Sequence, residues 1–192
     1  MQSFIGILGA MWGALGVFGL LLFAIYRLAP KAQVAYDGGL STGQWLIAAV
    51  VCIFMAYAEG YRGFQTRFSP RTAARIRYLR DRPRVVHTLL APLFAMGYFH
   101  ATKRTKIVAY SLLLGIVTLV LLVHQLGQPW RGIVDAGVVI GLGWGVLSLA
   151  ASLYSALTRD TYGPSPEVPE SPSHRPSIGS TEAGSGSASA RR

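Results

Sequence analysis

Residues 1–26 contain no charged side chain, and three further long apolar runs follow them in a chain of 192 residues. Read as a helix, residues 4–26 would extend about 34 Å, enough to cross roughly 30 Å of hydrocarbon. No basic segment precedes this run, and no convincing small-residue cleavage site precedes Arg27. It therefore reads as a retained first span and not as a cleaved signal peptide. Further spans are expected at 41–64, 107–123 and 133–157, the last carrying one acid, Asp135, near its start. Ten-residue segments of alternating polarity, which mark membrane β-barrels, are not seen. The fold class expected is an all-α integral membrane protein with four transmembrane helices in residues 1–158.

Charge supports the same class and suggests an orientation. Only 14% of residues are charged, against roughly 25% in average soluble domains. Yet the net charge is +10, and 11 of the 18 Lys and Arg residues fall between Arg62 and Lys106. A nucleic-acid-binding module would place such a basic face among motif glycines or stacking aromatics. None is visible, so no nucleic-acid partner is expected. By the positive-inside rule the 65–106 loop faces the cytoplasm, together with both termini. Arg27 and Lys31, after the first span, argue the other way but are outnumbered. Arg exceeds Lys by 15 to 3 and no Arg/Ser-rich transit segment precedes the first span, which points to a bacterial inner membrane.

Within the basic loop, Ser69 and Pro70 predict the start of a short helix over 70–81, lying on the cytoplasmic leaflet. Its arginines and their neighbours, Arg67, Arg71, Arg75, Arg77, Arg80, Arg82 and Arg84, are expected to contact anionic lipid, at about 1 kcal/mol for each basic residue near the surface. The segment "VVHTLLAPLFAMGYFHA" (85–101) is apolar but contains His87, Pro92 and His100. As a span it would separate the two basic clusters. As an interfacial or re-entrant helix, kinked at Pro92, it leaves them on one side, and that reading is preferred. Residues 159–192, rich in Pro, Ser and Gly, are expected to form a disordered tail.

Small residues recur at helical spacing in two spans. Gly9, Gly13 and Gly16 lie in the first, and Gly137, Gly141 and Gly145 in the fourth. In lipid such grooves let backbones approach closely, either within one chain or between copies or partners. In the second span Phe54, Tyr57, Tyr61, Phe64 and Phe68 are spaced as one α-helical stripe, with Glu59 and Arg62 positioned to pair at i, i+3.

No catalytic motif, zinc spacing or phosphate loop is present. Cys52 is alone in an apolar run, and His87 and His100 lack the further histidines that two haems would need. No metal or cofactor is therefore expected. The candidate polar site comprises Glu59, Arg62, His87 and His100 at the inner interface. The leading functional expectation is an accessory, scaffold or assembly subunit, partnered by membrane lipids and, through its glycine faces, by itself or other membrane proteins. The alternatives are a small oligomeric transporter or channel, and a lipid-modifying enzyme using His87 or His100 with Glu59.

Overall fold

The computed structural model describes residues 4–168. All regular structure among them is helical: α1 (Phe4–Asp37), α2 (Thr42–Met55), a π-helical segment (Ala56–Phe68), α3 (Ser69–Asp81), α4 (Val85–Leu89), α5 (Ala91–Met96), α6 (Lys103–His124) and α7 (Trp130–Thr158). Four helices are long and apolar enough to cross a membrane: α1, the continuous helix Thr42–Asp81, α6 and α7. These correspond to the four expected spans. Two of them run well beyond the expected ends, α1 through Pro30 to Asp37 and the second to Asp81.

The α1–α2 turn is written locally. Gly39 takes a positive φ of 77° where α1 ends, a conformation that glycine adopts without strain. Ser41 then opens α2 through a capping box, its hydroxyl accepting from the Gln44 N–H while the Gln44 side chain accepts from the Ser41 N–H. The second long helix consequently returns antiparallel to α1, bringing Arg80 beside Gly6 and Ile76 beside Ala10. Helix α7 runs parallel to the second helix, its Gly137, Gly141 and Gly145 meeting Met55, Glu59 and Phe64 in turn, and touches α1, α2, the π segment and α3. The interior is narrow and built from small side chains. Ala10, Val17, Ile76, Ala95 and Leu149 form one cluster, and Leu79, Ala91 and Phe94 another.

Two expectations need correcting. The 70–81 segment is not a separate surface helix. It continues the second span, because Ser69 is an αR residue inside the helix and not an N-cap. The 85–101 segment forms two short helices, α4 and α5, broken at Leu90 just before Pro92. They pack against the first half of α1, with Thr88 over Gly9, Ala91 over Gly13 and Pro92 over Gly16. The indole of Trp12 donates to the Leu89 carbonyl at 3.3 Å. The segment thus returns towards the end it came from. Finally, residues 159–168 of the expected tail fold back as a strap across α3 and the start of α6. Residues 169–192 lie outside the described residues.

Helix α6 stands apart. It touches the bundle chiefly at its two ends, through Thr102 and Thr105 at one and His124, whose Nδ1 lies 3.1 Å from Arg131 Nη2, at the other.

Candidate functional site

The π-helical segment decides what faces α7. Its backbone bonds reach five residues, not four, and close at Ser69, whose N–H donates to the Phe64 carbonyl. The next residue, Pro70, has no N–H to give and would crowd the carbonyl of Thr66 in a regular α-helix. In the wider helix the same face recurs about every four to five residues. Accordingly Met55, Glu59, Phe64 and Ser69 line up on α7, against Gly137, Gly141, Gly145 and Ser148. A Cβ added at Gly141 would lie 3.1 Å from Glu59, and one at Gly145 only 2.7 Å from the Phe64 ring. The hydroxyls of Ser69 and Ser148 bond at 2.8 Å.

This periodicity undoes two expectations. The aromatic stripe splits into a solvent- or lipid-facing pair, Tyr57 and Tyr61, and an inward pair, Phe64 and Phe68. Glu59 and Arg62 diverge, since i, i+3 is not one face of a π-helix. Among the described residues Glu59 makes no ion pair, and Arg62 is exposed. The acid is instead half-buried in the glycine groove of α7.

Sixteen residues further along the same helix, Arg75 is completely buried. The Leu90 break and the reversal after α5 create its socket. Gly97, at φ 89°, ends α5, and His100 adopts an unusual positive φ of 46°. These turns point successive carbonyls inward. Arg75 Nε donates to Phe94 O at 2.6 Å, Nη2 to Phe99 O at 2.9 Å and His100 O at 3.2 Å, and Nη1 to Pro166 O at 2.8 Å. The guanidinium also lies 4.2 Å from the Phe94 ring centre. Arginine's fixed fork of donors suits such a set of carbonyls, which a lysine could not match.

His87 packs beside this socket, its ring 4.5 Å from that of His100 and 4.8 Å from Phe94. Its Nδ1 is buried without a hydrogen-bond partner. Burial holds both imidazoles below the usual histidine range, reinforced for His87 by His100, Arg84 and Arg75, and for His100 by Arg84, Arg75 and Lys106.

The remaining arginines divide by role. Arg77 donates to the carbonyls of Ala156, Arg159 and Asp160, and Arg80 to that of Leu157, so both serve the C-terminal end of α7, where cations are favoured. Both also pair with Asp81, and Arg71 lies 3.8 Å from Glu167. Glu167 in turn accepts from the Thr105 hydroxyl, and its carbonyl from the Thr102 N–H, fastening the strap to α6. Arg67, Arg82 and Arg84 remain exposed. Arg75 therefore cannot reach lipid headgroups, and Arg71, Arg77 and Arg80 are turned towards protein. At the opposite end Arg131 lies 3.8 Å from Asp135, the partnership their spacing predicts.

Of the four candidate polar residues, the structure brings together only His87 and His100. Glu59 lies elsewhere, in the α7 groove, so a histidine–Glu59 catalytic pairing is not formed. All six named glycines face side chains of their own chain. The Arg75 socket was not foreseen. Its acceptors are backbone carbonyls, which leave no residue-type signal. Comparison with protein-family models, with curated proteins and with solved structures gives no significant match.

Proposed function

We propose that the protein is an integral membrane accessory subunit, its bundle held together by α1, α2–α3 and α7, with α6 offered to other membrane helices and to lipid. The observation that carries this reading is the position of α6. It is a 22-residue helix whose apolar residues, including Leu114, Ile116 and Leu121, are more than half exposed while the other long helices pack on one another. In hydrocarbon there is no hydrophobic penalty for such a helix, and its association is governed by packing with whatever helix lies beside it.

The loop charges support an orientation with the Arg75 end in the cytoplasm. Both ends of the described chain, Phe4 and Val168, lie at that end, as do Arg67, Arg82, Arg84, Lys103 and Arg104. The opposite half carries Arg27, Lys31 and Arg131. The Arg-rich composition favours a bacterial inner membrane.

Affinity purification in mild detergent tests the reading, comparing the unaltered chain with one in which Leu114, Ile116 and Leu121 are replaced by alanine. A defined membrane protein should co-purify with the first and be lost from the second while α1–α7 contacts persist. Identical co-purification from both would remove α6 as the contact. Reporter fusions after Gly39 and after Gly127 should both report the far side of the membrane, and a fusion after Arg84 the cytoplasm.

A further inference from the structure

A groove of about 640 Å³ runs along α7 beside the π segment, within the roughly 300–1,000 Å³ range of small-ligand sites. Its apolar wall is Trp144, Leu147 and Ala151, each one turn from the next on the same helix. The indole of Trp144 closes the inner end by donating to Gln65 Oε1 at 2.7 Å. At the other end lie Ser152, Arg159 and Tyr162. Tyr162 is held there, its hydroxyl donating to the Pro70 carbonyl at 3.3 Å.

From 144 to 159 the groove spans fifteen residues, about 22 Å at helical rise. Given the membrane reading above, on which this inference rests, that length takes it from the bilayer interior through one leaflet to the headgroup level. The polar end then coincides with the headgroups and the Trp–Leu–Ala wall with the acyl chains. The charge is complementary to phosphate. Arg159 is exposed, and the backbone that carries it is fixed by Arg77, which holds the carbonyls of 156, 159 and 160. Asp160, also exposed, adjoins it, while Asp81 is taken up by Arg77 and Arg80.

We infer that this groove is a binding site for one anionic glycerophospholipid, its phosphate on Arg159 and an acyl chain along Trp144, Leu147 and Ala151. The sequence pattern had pointed to the arginines between 67 and 84 as the lipid contacts. The structure commits several of those to protein and leaves the headgroup contact of this groove to Arg159.

Native mass spectrometry of the full chain, released from membranes and titrated with phosphatidylglycerol or chain-matched phosphatidylcholine, tests this. One phosphatidylglycerol should be retained in preference to phosphatidylcholine. Arg159→Gln should lower that preference by about fivefold, the worth of one basic side chain at an anionic surface. Ala151→Phe, which fills the groove from the exposed side, should remove both lipids without lowering the melting temperature. Retention unchanged by Ala151→Phe, a preference unchanged by Arg159→Gln, or a dimer occupying the groove would each overturn the assignment. Alkaline extraction of the same membranes separates the two readings. A chain washed out by alkali would refute membrane integration itself, whereas an integrated chain without selective lipid would refute only the groove.

Discussion

A guanidinium removed from water normally needs an acid beside it, and at Arg75 four backbone carbonyls stand in for that acid. Replacing it strands those carbonyls. Arg75→Met is expected to destabilise the protein by about 3–5 kcal/mol, the range for removing one member of a buried charged network. Arg75→Lys should recover less than half of the loss, because one ammonium cannot serve a set of carbonyls arranged for a fork. Thermal unfolding in detergent measures both. The neighbouring histidines give a pH dependence of definite sign. Burial, above all, holds His87 and His100 below the ordinary value of about 6.5, so the unfolded chain takes up protons first as pH falls. Their contribution is fully present above about pH 6.5 and declines below it. The melting temperature should therefore fall between about pH 7 and pH 5. A His87→Gln, His100→Gln double variant should flatten that slope.

At the scale of elements, the π segment matters most, because it converts residue spacing into contact. Gly145→Ala presses a methyl group into the Phe64 ring and should cost about 1–3 kcal/mol, as overpacking does. Gly143→Ala, where nothing lies within 4 Å of the new carbon, should be neutral. Combining Gly145→Ala with Phe64→Leu should relieve part of the loss, by about 1 kcal/mol of coupling in a double-mutant cycle. The long helices are legible in the sequence because apolar length alone declares them. The π bonding is not, since a 3.6-residue rule aligns Phe54, Tyr57, Tyr61, Phe64 and Phe68, whereas the wider helix aligns Met55, Glu59, Phe64 and Ser69. The glycine positions were readable as packing sites, but not the partner each would meet. Gly9 and Gly13 receive the short helices α4 and α5, which no glycine pattern could indicate.

Across the whole molecule, the strap at 159–168 joins parts that are far apart in the chain. Proline-rich composition with few apolar residues conceals it, because its hold comes from single contacts: Tyr162 on Pro70, Pro166 on Arg75, and Glu167 on Arg71 and Thr105. A chain ending at Thr158 should therefore melt at a lower temperature than one ending at Val168, and trypsin should cut it faster at Lys103 and Arg104. Equal melting and equal cleavage would show the strap to be dispensable. The same geometry imposes an order of assembly. Arg75 is synthesised before the residues at 94–100 that receive it, and ninety-one residues before Pro166. While only the first two long helices exist, its charge has no internal acceptor from those segments, so hydrocarbon would be a hostile place for it. On the membrane reading proposed above, Arg75 acts as a brake on how deep the second helix can settle early in biogenesis. The brake is released in two stages, first by the carbonyls of 94–100 and last by that of Pro166.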